Sequence, residues 1–327
     1  MFAEHLQPNL HNENVRQSPT RNGYGAGLLE AGKRDENVVA LCCDLTDSTR
    51  TGVFAEEFPE RFIQAGVAEQ NMASVGAGMA FMGKVPFIAS YAMFSPGRSW
   101  EQIRTTIAYN NANVKIVGAH AGVSVGPDGA THQAIEDIAI TRVMPNMVVI
   151  APADEHEARK ATLAAAKYSG PVYFRLGRSA TPVVTTPDSP FEIGKAQLMY
   201  SRDEAHEQKV GIVVTGSLLY NALMAAKELN ETGVGASVLH MPTIKPLDEA
   251  ALLSFAQDHD AVVTVEEHQV AGGLGGAVAE YLSGEHPIKI SRVGVQDQFG
   301  QSGEPDELVE HYGMGIDSIV QAAKNTL

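Results

Sequence analysis

The chain is poor in cysteine, in positive charge and in long apolar runs, and each shortage removes a class of function. Its two cysteines, Cys42 and Cys43, are adjacent within VVALCCD, whereas a disulfide framework or a cysteine-ligated zinc needs more thiols at wider spacing. They read as small core residues on a strand. Lys and Arg number 24 against 39 Asp and Glu, a net charge of -15. No basic cluster tracks a phosphate backbone, so nucleic acid is not an expected partner, and any phosphate site must be built locally from a few arginines. No stretch is apolar for the length of a bilayer, and the opening residues lack a basic segment followed by an apolar one. The expectation is a cytoplasmic chain with no membrane partner and a flexible N-terminal arm over residues 1–14.

What is present is a repeated alternation. Short β-rich runs (NVVALCCD, RFIQAGVA, VPFIASYA, VKIVGAHAG, MVVIAPA, PVYFRLG) are separated by amphipathic or Ala-rich segments, the pattern of parallel strands covered by helices on both faces. It lapses across RSATPVVTTPDSPFEIGKA, rich in Ser, Thr and Pro, and resumes with KVGIVVTGS, GASVLHMP, AVVTVEEHQ and IKISRVGV. The predicted fold class is α/β in two domains: a parallel-sheet domain over 15–185 and a smaller α/β domain over 186–327.

Ligands in such sheets sit outside the carboxyl ends of the strands. Asp44, Ser48, Glu69, Tyr91, Phe94, His120, Asp128, His132, Arg175 and Arg178 all follow apolar runs and form the candidate set. Glu69, in GVAEQNM, heads a small-residue helix, where a carboxylate ordinarily just complements the helix dipole. The Gly-rich loop GAHAGVSVGPDGATHQAIED carries His120, Asp128 and His132. Without an H-E-x-x-H or paired-cysteine spacing these suit acid/base or hydroxyl-binding work better than a metal. Tyr91 and Phe94 are placed to wall a flat heteroaromatic ring, while Phe87 and Trp100 read as core. AGGLGGAVAEYL fails the dinucleotide spacing, since Val278 stands where a third small residue is needed, and reads as the glycine-rich start of a packed helix. No Walker-type phosphate loop occurs.

Taken in order, RNGYGAGL, DLTDSTR, RFIQAGVAEQNM, the His120 loop, PNMVVIAPAD, TIKPLD, VEEHQVAGGLGGAVAEYL and SGEPDELVEHYG resemble the C-terminal half of transketolases, which use thiamine diphosphate to move two-carbon ketol units between sugar phosphates. The resemblance implies a pyrimidine-binding domain followed by a transketolase C-terminal domain. It implies that Glu69 shares a proton with a ring nitrogen of the cofactor's aminopyrimidine, a role that desolvation would favour. Tyr91 and Phe94 would stack on that ring, and His120 and Asp128 would contact donor hydroxyls with His132 nearby. Arg21, Ser48 and Arg178 would hold the substrate phosphate, with Arg175 as a fallback, and Asp44 would share the Ser48 loop. Pro127 departs from the family, which often has Glu there.

The family's diphosphate-binding domain, with its motif for Mg²⁺ or Ca²⁺, is not in this sequence. The resemblance therefore implies a separate N-terminal subunit holding the diphosphate and metal, assembled with this chain as an α2β2 heterotetramer acting on pentose phosphate pathway sugars. Half of a deoxyxylulose-phosphate synthase, the β subunit of a 2-oxo acid dehydrogenase and a non-catalytic thiamine-diphosphate-binding regulatory subunit are the alternatives. His120 weighs against the first, the ordered motifs against the second, and the retained Glu69 and His120 against the third.

Overall fold

In the computed structural model, residues 1–11 and 14–327 are described. The first sheet has seven strands in the order Phe62–Gln64, Val38–Cys42, Val85–Tyr91, Lys115–Ala119, Val172–Arg175, Val148–Ile150 and Thr243–Lys245. All neighbours pair in parallel except the last, which runs antiparallel to Val148–Ile150. Val38–Cys42 is buried at every position, as expected of a parallel strand with a helical layer on each side and no wet face.

On one face, helix Thr20–Arg34 packs along helix Glu155–Lys167. Gly23 makes this possible: a Cβ there would overlap the Glu155 carbonyl, so the helices approach at backbone distance. The close approach fixes the first turn of Thr20–Arg34, and with it Arg21, beside the carboxyl ends of the strands.

The second sheet runs Lys289–Val295, Ala261–Gln269, Lys209–Val214, Gly235–His240 and Gln197–Tyr200, parallel except for the last strand. The two α/β units share apolar packing, with Met241, Ile244 and Leu274 in one buried cluster with Ile116, Ile138 and Val149. Thr243–Lys245 follows Gly235–His240 of the second unit yet completes the edge of the first sheet. No helix among the described residues is long and apolar enough to cross a membrane.

The expected arm does not hang free where it is described. Phe2 bridges Tyr200, Gln7 N–H donates to the Val184 carbonyl, and Leu6 and Leu10 are buried in the second unit's core. Burying the two leucines contributes about 1.5–3 kcal/mol each, part of what offsets the entropy of ordering the segment. The part of the arm at residues 12 and 13 lies outside the described residues. In the Ser/Thr/Pro-rich stretch, Thr181–Pro182 pairs with Gln17–Ser18, and Val183 and Val184 are buried.

Candidate active site

The chain leaves Val38–Cys42 for Phe62–Gln64 on one side, then crosses back to Val85–Tyr91 on the other. That reversal opens a crevice at the carboxyl ends of the strands. Asp44, Glu69 and His120 follow strands around it, and Tyr91 ends one. Asp44 and His120 hold positive φ, 60° and 55°, a conformation that costs a non-glycine residue energy and tends to gather at functional sites.

Glu69 is the first residue of helix Glu69–Phe81 and is only 2% exposed. Its Oε1 accepts a hydrogen bond from Ser90 Oγ at 3.4 Å, and its Oε2 accepts one from Arg98 Nη1 at 3.2 Å. The carboxylate lines a cleft of about 220 Å³ with Cys43, Asp44, Leu45, Val67, Phe94 and Arg98. A second cleft of about 420 Å³ shares Phe94 and Arg98 and continues past Met93 to Glu136 and Ile140. The first is small against ligand pockets of about 300–1,000 Å³ and suits a single substituted ring. An ionised carboxylate offers about four lone-pair sites, so Glu69 retains capacity for a ring N–H beside its two present donors.

Tyr91 and Phe94 lie near-parallel with centroids 6.1 Å apart. The Tyr91 ring stacks more closely on His120, at 3.9 Å, whereas Phe94 lines both clefts. His132 meets both aromatic rings edge-on, at 6.2 and 5.5 Å, and its Nδ1 is 2.9 Å from Thr131 Oγ1. His120 is 2% exposed, and its Nδ1 is buried with no hydrogen-bond partner in the protein. Burial first, then the guanidiniums of Arg21 and Arg178, push its pKa down to about 3. It is therefore a neutral imidazole that can donate one hydrogen bond and accept one.

Arg21 Nη1 lies 2.7 Å from the Ser48 carbonyl and 3.4 Å from His120 Nε2. Arg50 and Arg178 add charge close enough to depress His120, so three guanidiniums lie in the neighbourhood of the imidazole. Arg178 donates to the Val125 carbonyl at 2.8 Å and is half-buried. Arg175 is committed elsewhere: its Nε pairs with Asp137 at 3.1 Å and its Nη2 donates to the Ala134 and Glu267 carbonyls. As the fallback phosphate ligand it is displaced by its own burial in that network. Asp128 ends the turn Val123–Asp128 and is exposed, Asp44 is exposed with its N–H donating to Gln64 Oε1, and Ser48 is half-buried with its carbonyl bound to Arg21.

Two functional candidates escaped the sequence reading. Arg50 was in plain view at the end of DLTDSTR. Arg98 sits in SPGRSW, and only the turn that carries it back over Phe94 to Glu69 shows its place. At the second Gly-rich segment, Glu266 accepts the Leu274 and Gly275 N–H groups. The start of helix Leu274–Glu285 is thus capped from within, leaving those amides no role in binding a diphosphate.

Residues 16–184 match the family profile for the transketolase pyrimidine binding domain, and residues 200–319 that for the transketolase C-terminal domain. The chain is 47% identical over 304 residues to a putative transketolase C-terminal section of Methanocaldococcus jannaschii, covering 92% of this chain and 94% of the relative. It is 40% identical to a 6-deoxy-6-sulfo-D-fructose transketolase subunit of a Clostridium species, covering 93% and 92%. Among solved structures, one described as a split gene transketolase, inactive beta4 tetramer, superposes with a TM-score of 0.87 at 45% identity, covering 94% of this chain and 98% of that one.

Proposed function

The chain belongs to the transketolase family, through its pyrimidine-binding and C-terminal domains, and on that premise we propose that it is the C-terminal subunit of a two-chain enzyme transferring two-carbon ketol units from a ketose phosphate to an aldose phosphate. A separate N-terminal subunit would hold the diphosphate of thiamine diphosphate with its Mg²⁺ or Ca²⁺, in an α2β2 assembly. The two-chain arrangement is supported by relatives named as a section or a subunit that match almost end to end.

The observation that carries the reading is Glu69, a buried carboxylate lining a ring-sized cleft together with an aromatic side chain. When bound, thiamine diphosphate would supply the nucleophilic carbon and the electron sink that ketol transfer requires. Glu69 would hold the proton at the pyrimidine ring nitrogen, with Ser90 and Arg98 fixing the carboxylate. Phe94 would cover the ring, and Tyr91, stacked on His120, would orient the imidazole. Neutral His120 would hydrogen-bond the donor's hydroxyls, with Asp128 and His132 on the same loop and Asp44 at the neighbouring strand end. Arg21, Arg50 and Arg178, with the Ser48 loop, would take the substrate's anion. One relative is named for a sulfonated sugar, and three guanidiniums would accept a sulfonate as readily as a phosphate.

The test is to purify the chain alone and together with a candidate diphosphate-binding subunit. Thiamine diphosphate binding and transfer from xylulose 5-phosphate to ribose 5-phosphate would then be measured. The pair is expected to turn over and the chain alone is not. Glu69→Ala in the pair should cost about 10²–10⁴-fold in turnover and slow deuterium exchange at the cofactor's C2. Robust transfer by the isolated chain would refute the two-chain reading, and unaltered C2 exchange in the variant would refute the role of Glu69.

A further inference from the structure

Strand Ala261–Gln269 of the second domain carries two consecutive glutamates that are both almost fully buried, Glu266 and Glu267. Consecutive strand residues point to opposite faces. Glu266 turns to cap the helix beginning at Leu274, while Glu267 crosses to the first domain. A buried carboxylate is costly unless its oxygens find donors, and those of Glu267 do. Oε1 accepts the Ser124 N–H at 2.7 Å, and Oε2 accepts Ser217 Oγ–H at 3.1 Å.

Ser124 lies in the loop that leaves His120, and the next two carbonyls of that loop are also in use. The Ser124 carbonyl accepts Ser179 Oγ–H at 2.6 Å, and the Val125 carbonyl accepts Arg178 Nη1 at 2.8 Å. A short relay therefore runs from Glu267 through two peptide units to the guanidinium assigned to the substrate's anion. Gly122 marks how closely the carboxylate is seated, since a Cβ there would overlap it.

We propose that Glu267 is a positioning residue through which the second domain sets the Ser124–Val125 backbone and so aims Arg178 at the substrate's anionic end. This rests on the ketol-transfer reading for the identity of the substrate, but not for the relay itself. Glu267 touches no substrate; its effect is confined to anion binding.

The relay is tested in the assembled pair by calorimetric titration with inorganic phosphate, and by kinetics with xylulose 5-phosphate against the unphosphorylated ketose L-erythrulose. Glu267→Ala should weaken phosphate binding and raise the KM for xylulose 5-phosphate roughly tenfold, the size of one charge-assisted hydrogen bond, leaving kcat and the erythrulose KM within about twofold. Glu267→Gln keeps an acceptor oxygen for Ser124 and should restore phosphate affinity. In an Arg178→Ala background, Glu267→Ala should add nothing, because both act through one contact. Should the alanine variant fail to assemble, Glu267→Asp withdraws the oxygen while keeping the charge and is read in the same way. Unchanged phosphate affinity, additive effects with Arg178→Ala, or equal losses on both ketoses would overturn the proposal. Weakened phosphate binding in a pair that transfers no ketol unit would sustain the relay and overturn the functional reading instead.

Discussion

At the scale of single residues, the site depends on groups kept in unusual states by their neighbours. His120 is the plainest case. An imidazole in the unfolded chain titrates near 6.5, whereas burial and the adjacent guanidiniums hold it down to about 3 in the fold. As pH falls, the unfolded chain takes up that proton first. The stability linked to His120 is thus complete above about pH 6.5 and is lost progressively as pH drops toward 3. His5 and His259 are also lowered by burial, so one substitution should make the acid limb shallower without abolishing it. Melting temperature followed from about pH 7 to 4.5 should fall less steeply for His120→Gln than for the parent chain. Parallel curves would mean that the imidazole is protonated in the fold. Glu69 shows the complementary point: its position at a helix start is electrostatically ordinary, but its 2% exposure and its pairing with Arg98 are not. The dipole and the cleft act on the same carboxylate, so a helix-start position does not count against the role proposed for it.

At the scale of elements, the segment from His120 to His132 is where backbone shape and chemistry meet. Gly122, Gly126 and Gly129 all hold positive φ, and at Gly122 the space a Cβ would need is filled by the Glu267 carboxylate. Gly122→Ala combines left-handed strain of about 1–3 kcal/mol with displacement of a buried acceptor from Ser124. Urea unfolding should show a loss of at least that size, and a change below about 0.5 kcal/mol would show that the loop moves aside freely. This loop was legible in the sequence because glycines, histidines and an aspartate crowd a strand end. The strands leading to Asp44, Glu69 and Tyr91 were legible too, because buried parallel strands are written as local apolar runs. Thr243–Lys245 and Gln197–Tyr200 were not, for they are short edge strands whose antiparallel partners are distant in the chain. Arg98 and Glu267 escaped for a related reason. Each acts across a turn or a domain boundary, and no local pattern records where a long side chain arrives.

At the scale of the whole molecule, one surface does not fit a chain that works alone. Helix Glu69–Phe81 carries no charge after its first residue, and its outward side exposes Ser74, Val75 and Gly78, with Phe81 and Met82 at its end. Tyr109, 82% exposed, lies just past the adjoining helical segment Ile103–Ala108, and Val67, 69% exposed, lies at the rim of the Glu69 cleft. With a net charge of -15 the surface as a whole repels its own copies, so a helix face without carboxylates, flanked by exposed Phe81, Met82 and Tyr109, is where association would overcome that repulsion. We expect a second copy of this chain to pack there, closing one wall of the cleft. On a twofold axis Val75 would be buried twice, and each unpaired carboxylate from Val75→Glu would cost several kcal/mol. Sedimentation equilibrium should then show self-association weakened by at least about 100-fold, equivalent to some 2.7 kcal/mol, with unchanged circular dichroism. A variant that associates as tightly as the parent would move the contact to another face and leave the exposed strip for the diphosphate-binding subunit.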